Sequence, residues 1–346
     1  MILLSVVGLL ATACSDGDGR AAGAAEGGST AGGEEAEESC YEGQQVTFMV
    51  PFSPGGGYDT IARGIAPYLE DELGATVVVE NVTGAGGLVA ANELYTAEPD
   101  GLSFGIFAAQ GIVGAALADA EGVNFDAEKF TYVARLAEDA RVLLTGGSSD
   151  LQSVDDVLAA DALQYATAGV GAADHVDANV LPVVLGIEDS VQIVSGFEGS
   201  SETELAVASG QVELGSGTLG TRLGGIESGD QRALLLMGRE RAEELPDVPA
   251  LLELDIENTD LAEAYIGLQE VGRSIFAPPG VEESCVEQLQ TGLQNVLEDQ
   301  EFQAEIGDSV DVPFEYADGD ELRQAVDNVL DAPDELVTLL EKAYSE

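Results

Sequence analysis

The sequence predicts an α/β fold of alternating strands and helices, and three observations carry that prediction. From residue 46 onward, short runs rich in β-branched residues alternate with segments whose apolar residues recur at helical spacing. Four of the strand-like runs lead into loops rich in glycine or small residues, each placed ahead of a helix. At 346 residues and 45% hydrophobic composition, the chain can bury a sizeable core and is long enough for about two domains.

Residues 1–13, MILLSVVGLLATA, are an apolar run too short to cross a bilayer as a stable helix. With Cys14 after Leu10, Ala11, Thr12 and Ala13, the run resembles a lipoprotein signal peptide whose cysteine receives the lipid. Ala11 stands where leucine is usual and no basic residue precedes the run, which leaves room for a start upstream of Met1. Residues 14–43 are expected to be a lipid-anchored flexible tether, since Ser15 to Ser39 is Gly, Ala, Ser and Glu with almost nothing apolar of size. Anchor, tether and domain together predict an extracytoplasmic protein on the outer face of the cytoplasmic membrane.

The folded part opens with strands at 46–51 and 76–80, with helices at 59–73 and 88–96. Strands at 104–108, 132–136 and 141–144 continue it. A helix at 153–160, a strand at 163–166, a helix at 173–185 and a strand at 191–194 come next. The alternation implies parallel layers, in which ligands sit beyond the carboxyl ends of strands.

The four loops at those ends are PFSPGGGYD (51–59), ENVTGAGG (80–87), ATAGVGAADH (166–175) and SGFEGSSE (195–202). Glycine lets backbone N–H groups crowd a ligand, and a helix N-terminus favours an anion there. Three consecutive glycines at 55–57 read as an anion cradle or as a tight strand-to-helix turn. A glycine at Gly56 is expected to be needed for both space and backbone angle. Four such loops exceed what turn geometry alone requires. No G-x-G-x-x-G with a suitably spaced acid is present in the first βα turn, and GGGYDT lacks the Gly-Lys-Ser/Thr ending of a P-loop.

Charge excludes other classes. The chain has 12 Lys+Arg against 65 Asp+Glu, a net charge of −53, spread along helices and not gathered in one tail. Such a surface repels nucleic acid and anionic lipid. It fits a salty environment, because the Debye length falls to about 3 Å at 1 M and screens the self-repulsion. Cys40 and Cys285 remain after Cys14, and outside the cell an even pair is expected to be bonded. Two thiols and the single histidine, His175, cannot supply a usual four-ligand metal set, so neither metal nor cofactor is expected.

Seven segments then carry a resemblance: VPFSPGGGYDTIAR, VVVENVTGAGG, EPDG, ATAGVGAADH, GFEGSSETELAVASGQVEL, LPDVPALLE and IFAPPG. In this order and spacing, over about residues 44–346, they resemble the substrate-binding receptors of tripartite tricarboxylate transporters, the Bug receptors. The resemblance implies a two-domain, hinge-closing periplasmic-binding-protein fold, type II-like, whose cleft takes a small carboxylate and delivers it to a membrane permease. It implies domain I at 44–142 plus 265–346, domain II at 143–264, and a monomer. Carried over residue by residue, the ligand-binding positions are Phe52, Ser53, Gly56, Gly57 and Asp59 in the first loop and Gly84, Ala85, Gly86 and Gly87 in the second. Gln110 follows the strand at 104–108. Thr167, Gly169, Gly171, His175, Phe197 and Gly199 come from the facing domain.

Several of these carry restricted roles. Asp59 would be repelled by an anion and is expected to cap its helix or hold a bridging water. His175 is expected to orient the helix or stand behind the ligands, and Arg63 to make a structural ion pair. Glu198 and Arg273 depart from the family's usual residues, so substrate identity is not carried over. Two rivals remain. An exported sensor subunit would use the same fold. A secreted hydrolase would pair His175 with a serine, but no G-x-S-x-G elbow is present.

Overall fold

The structure, a computed structural model, describes residues 39–170, 172–197, 199–307 and 314–345. The expected signal peptide, the Cys14 anchor, most of the tether and Gly171 lie outside the described residues.

Eleven strands and eleven α-helices of at least five residues follow one another along the described chain. They run β1 (Gln45–Val50), α1 (Gly57–Leu73), β2 (Thr76–Asn81), α2 (Leu88–Tyr95), β3 (Ser103–Ala108), α3 (Ala109–Leu117), β4 (Thr131–Ala137) and β5 (Arg141–Gly146). Next come α4 (Val154–Leu158), β6 (Leu163–Thr167), α5 (Ala173–Val184), β7 (Val191–Ser195), α6 (Ser200–Ala208), β8 (Gly215–Thr218), α7 (Leu219–Glu227) and β9 (Gln231–Leu236). The last are α8 (Thr259–Glu270), β10 (Arg273–Ala277), α9 (Glu283–Glu298), β11 (Ala317–Asp318), α10 (Gly319–Leu330) and α11 (Asp334–Ser345).

One six-stranded sheet has the order β11-β4-β10-β3-β1-β2. Strands β1, β2 and β3 are parallel, as expected, but β10 enters antiparallel between β3 and β4, and β11 is antiparallel to β4. The expectation of purely parallel layers is therefore corrected to a mixed sheet. The reason is that β10 returns from the far end of the chain and fills a place that a local βαβ crossover would otherwise have taken. A second group holds the antiparallel β8-β5-β9 and the parallel pair β6-β7. Leu214 joins its two parts, accepting from Ala166 N–H and donating to Gln164 O, both at 2.9 Å.

Period-two alternation sets the core. Val46, Phe48 and Val50 of β1 face Ile61, Ile65 and Leu69 of α1 and Leu289 and Leu293 of α9 in one buried cluster. Met49 faces the other cluster, which runs through α2, α3, α5 and α8 to Leu336 and Leu340 of α11. Helix α11 packs on both α3 and α5, so the last helix touches elements of both sheet groups.

The expected tether boundary at residue 43 is too late. Cys40 is bonded to Cys285 at the start of α9, with Cα atoms 5.6 Å apart. Tyr41 is buried and donates its hydroxyl to Cys285 O at 2.9 Å, and Gly43 N–H donates to Gly74 O. An aromatic residue and a disulfide hold this stretch to the fold, so residues 40–43 are part of it.

Candidate functional site

Two cavities stand out. The larger, of about 750 Å³, is walled by Glu138, Glu240, Glu243, Glu244, Glu270 and Glu315. Its Arg239 and Arg241 are already paired with Glu270 and Glu253. Such a wall repels an anion. The smaller, of about 450 Å³, is where the glycine-rich loops lead, and it is walled from both sheet groups.

Helix starts converge on this smaller cavity. Tyr58, Gln110, Asp174, Ser200 and Thr221 come from the first turns of α1, α3, α5, α6 and α7, and Gly86 lies just ahead of α2. None of these six helices has a side-chain N-cap hydrogen bond; their N-cap residues are Gly56, Gly87, Ala108, Ala172, Gly199 and Thr218. Three helices that start elsewhere are closed by side chains. Asn258 caps α8, Asp318 caps α10, and Asp156 accepts from Ser153 N–H at the start of α4. Helix α9 also lacks a side-chain cap, so the pattern rests on convergence and not on any one end. Each start carries roughly half a positive charge, and a start without a cap leaves N–H groups for an anionic ligand.

The first wall is backbone. Gly55 has φ +85 and Gly84, Ala85, Gly86 and Gly87 have φ of 139, 47, 64 and 103. Four successive left-handed residues are a conformation only glycine enters cheaply, and Ala85 is held there against its preference. A Cβ at Gly84 would overlap Val89, and at Gly87 would press on Pro51 and Ile112. Gly56 has φ −83 and ψ 170, which any residue adopts, and a Cβ there would meet only Ser53 O at 3.5 Å. The expectation that Gly56 needs glycine for its backbone angle is corrected; Gly55 is the residue that does.

Asp59 organises this wall from behind. It is buried and accepts from Gly55 N–H at 2.8 Å, from Arg63 Nε at 2.9 Å and from Asn81 Nδ2 at 2.9 Å. Burial alone would raise its pKa, but the Arg63, Gly55 and Asn81 donors outweigh burial and hold the carboxyl below its ordinary value. Arg63 makes the expected structural pair.

The second wall is side chain. Among the described residues the buried arginines are Arg141, Arg222 and Arg273. Arg141 Nε donates to Asp177 Oδ2 at 2.7 Å, and Asp177 also accepts from Ser216 Oγ at 2.5 Å and Tyr265 OH at 2.6 Å. Burial opposes the charge on Arg141, but Asp177 overcomes it and raises the guanidinium pKa. Arg222 pairs with Glu204 and donates to Ser200 O at 3.1 Å, which ties α7 to the start of α6. Its guanidinium lies where a side chain on Gly217 would be, since a Cβ there would overlap Nε. Arg273 Nε donates to Asp139 at 3.0 Å, and its guanidinium lies 5.0 Å from the centre of the Tyr58 ring. Gln110 Nε2 and Tyr58 OH reach the same Asp139 carboxylate, both at 3.4 Å.

Of the expected ligand-binding residues, Phe52, Gly86, Gln110 and Gly199 wall the cavity. Ser53, Gly56 and Gly57 are exposed beside Phe52 and Tyr58, and Gly84 and Ala85 are exposed beside Gly86. Thr167 and His175 stand behind the wall, with Thr167 Oγ1 3.0 Å from His175 Nδ1 and 3.3 Å from Ser195 Oγ. Gly169 is half-buried in the same loop, at φ +122. Phe197 packs on the cluster of Ala166, Ala206, Val207 and Val212. Sequence reasoning passed over Tyr58, Arg141, Asp174 and Arg222; scarcity was the available signal, since an arginine among 12 basic residues on so acidic a chain is conspicuous.

Comparison with known proteins agrees with this arrangement. A family model described as tripartite tricarboxylate transporter family receptor matches residues 61–338. BugT of Bordetella pertussis is 26% identical over 220 residues, 62% of this chain and 67% of that protein. The structure of MatC from Rhodopseudomonas palustris with bound malate superposes with a TM-score of 0.62 at 25% identity, covering 87% of this chain and 99% of that one. A TctC solute binding protein from Polaromonas shares the periplasmic-binding-protein fold, with a TM-score of 0.72 at 19% identity over 86% of this chain and 98% of that one. The chain belongs to the tripartite tricarboxylate transporter family of receptors.

Proposed function

We propose that the protein is an extracytoplasmic receptor that closes over a small mono-, di- or tricarboxylate and hands it to the permease subunits of a tripartite transporter, with no chemistry of its own. The observation that carries this reading is the convergence of six helix starts lacking side-chain caps, with two buried arginines, on one cavity of an otherwise acidic protein. The malate bound by MatC fits the same ligand class. The proposed lobes are about 44–142 with 265–346 and about 143–264; the chain passes between the sheet groups first between β4 and β5 and returns between β9 and β10. Helix α11 lies against α5, so closure has to slide or carry that contact. Lipid on Cys14 would hold the monomer at the outer face of the cytoplasmic membrane.

The test is a thermal-shift screen of carboxylates in molar salt, followed by stopped-flow association. Donors in the cavity act over about one helical turn, whereas the charge of −53 acts over a Debye length that shrinks from about 30 Å at 0.01 M to about 3 Å at 1 M. Association is therefore expected to speed up as salt is raised, over the range where circular dichroism shows the protein folded. No stabilisation by any carboxylate would remove the proposal. A rate that falls with salt would mean that a local basic site governs the approach.

A further inference from the structure

The cavity walls hold an excess of unanswered acceptors. Among the described residues, the buried side-chain atoms without a hydrogen-bond partner include Gln110 Oε1, Asp174 Oδ1, Arg222 Nε and Gln269 Oε1, and all four of these residues wall the 450 Å³ cavity. Such atoms are few in native proteins and each calls for a partner. The Gln110 amide is oriented by its own contact, because Nε2 donates to Asp139, so the atom left over is an acceptor.

Asp174 is the more telling group. Among the described residues four aspartates are buried: Asp59, Asp139, Asp174 and Asp177. Asp59 pairs with Arg63, Asp139 with Arg273 and Asp177 with Arg141, whereas Asp174 makes no ion pair with any described residue. Its Oδ2 accepts from Ala168 N–H at 3.0 Å. The neighbouring His175 N–H donates to Ala172 O at 3.0 Å. The arginines in the wall, Arg141 and Arg222, have their own acids in Asp177 and Glu204. A ligand of carboxylates alone would bring a further negative charge to a wall that already holds an unpaired acid.

We propose that the ligand is an aminocarboxylate, whose ammonium group pairs with Asp174 and Gln110 Oε1 while its carboxylate lies at the helix starts beside Arg222. The inference rests on the receptor reading above and narrows its ligand class. An ammonium supplies both what Asp174 lacks, a positive charge, and what Gln110 lacks, a hydrogen-bond donor; a hydroxyl would supply only the second. The pairing requires the Asp174 carboxylate to turn, since Oδ1 is covered by the wall. The charged and titratable groups facing Asp174 are Arg141 on β5, Tyr165 on β6, Asp177 on its own helix and Arg222 on α7. Burial pushes the Asp174 carboxyl above its ordinary value in the unliganded protein, with Asp177 in the same direction and the Ala168 N–H, Arg141 and the His175 N–H opposed.

The test is calorimetric titration of the full chain in molar salt with pairs matched in length: glutamate with glutarate, 4-aminobutyrate with butyrate, and β-alanine with propionate. At least one amino member is expected to bind at least about tenfold more tightly than its partner, and Asp174→Asn to bring that pair within about threefold by weakening the amino member alone. Within the pair, with each dissociation constant referred to the ionised fraction of that ligand's own carboxylate, acidification through the titration of Asp174 should shrink the preference, because the ammonium stays charged while its partner is neutralised. This arm uses the wild type and holds even if the variant does not fold. A plain carboxylate that binds as tightly as its amino partner in every pair, a preference that grows on acidification, or an equal loss of both in Asp174→Asn overturns the inference and leaves the carboxylate receptor standing. Binding of no member overturns the inference alone, and the receptor reading falls only if the wider carboxylate screen also shows no stabilisation.

Discussion

The wall of the cavity built from residues 52–58 and 84–87 and the wall built from Arg141, Asp174, Asp177 and Arg222 present the same kind of donor through different physics. In the first, backbone shape does the positioning: left-handed residues at Gly55 and 84–87 set the course of the loops, and one buried carboxylate, Asp59, gathers the first loop from behind by accepting from Gly55 N–H. In the second, helix starts are fixed by the ion pairs of buried arginines, Arg141 with the buried Asp177 and Arg222 with the half-buried Glu204, whose desolvation is costly and whose retention is weak evidence for stability. A first wall made this way tolerates side-chain changes and fails when a backbone angle is denied. A second wall made this way fails when one partner of a pair is taken away.

Breaking the second wall should give the largest effect. Asp177→Ala leaves Arg141 buried without its acid and strands Ser216 and Tyr265, and is expected to destabilise the fold by about 3–5 kcal/mol. Denaturant unfolding at constant high salt checks it; a loss under about 1 kcal/mol would mean that water reaches Arg141 and the second wall is not rigid. Gly217→Ala comes next. Its methyl group would occupy the place of Arg222 Nε, so carboxylate affinity should fall at least about tenfold, with a smaller stability loss of about 1–3 kcal/mol from overpacking. Unchanged affinity in the folded variant would take Arg222 out of the site.

The first wall gives a finer comparison within one loop. Gly55→Ala must hold a non-glycine residue at φ +85 and should cost about 1–2 kcal/mol, while Gly56→Ala at φ −83 should be within about 0.5 kcal/mol of wild type. Equal losses at the two positions would show that the loop is held by something other than backbone angle. The smallest effect is a pH dependence. Because the folded protein holds Asp59 below its ordinary pKa, its contribution is present above the unfolded value of about 3.9 and is lost as pH falls through the lower folded value. Asp59→Asn should therefore flatten the acid side of the stability curve, and an unchanged curve would remove Asp59 as the organiser of the loop.

The two walls also differ in how far the sequence reveals them. PFSPGGGYD and ENVTGAGG are contiguous, and their glycines, the strands before them and the helices after them are local signals; the expected strand at 76–80 and helix at 59–73 lie within two residues of β2 and α1 at each end. The network around Asp177 joins residues 36, 39 and 88 positions away, and nothing in a linear pattern brings Arg141, Ser216 and Tyr265 together. The antiparallel entry of β10 was hidden for the same reason, since period-two alternation sets which face is buried and leaves strand direction open. Asp174 was legible only as the neighbour of His175. Its meaning comes from the nearby Arg141 and Arg222 being paired with Asp177 and Glu204 and not with it, which depends on the whole fold.

A ligand-bound structure determined from protein grown with a saturating small carboxylate in molar salt tests the central claim most directly. The account predicts carboxylate oxygens about 2.7–3.2 Å from N–H groups at the starts of α3, α5, α6 or α7, or from Arg222, with Phe52 and Tyr58 against the ligand body. A carboxylate bound instead in the acidic groove beside Glu240, Glu243 and Glu244, away from those helix starts, would contradict it.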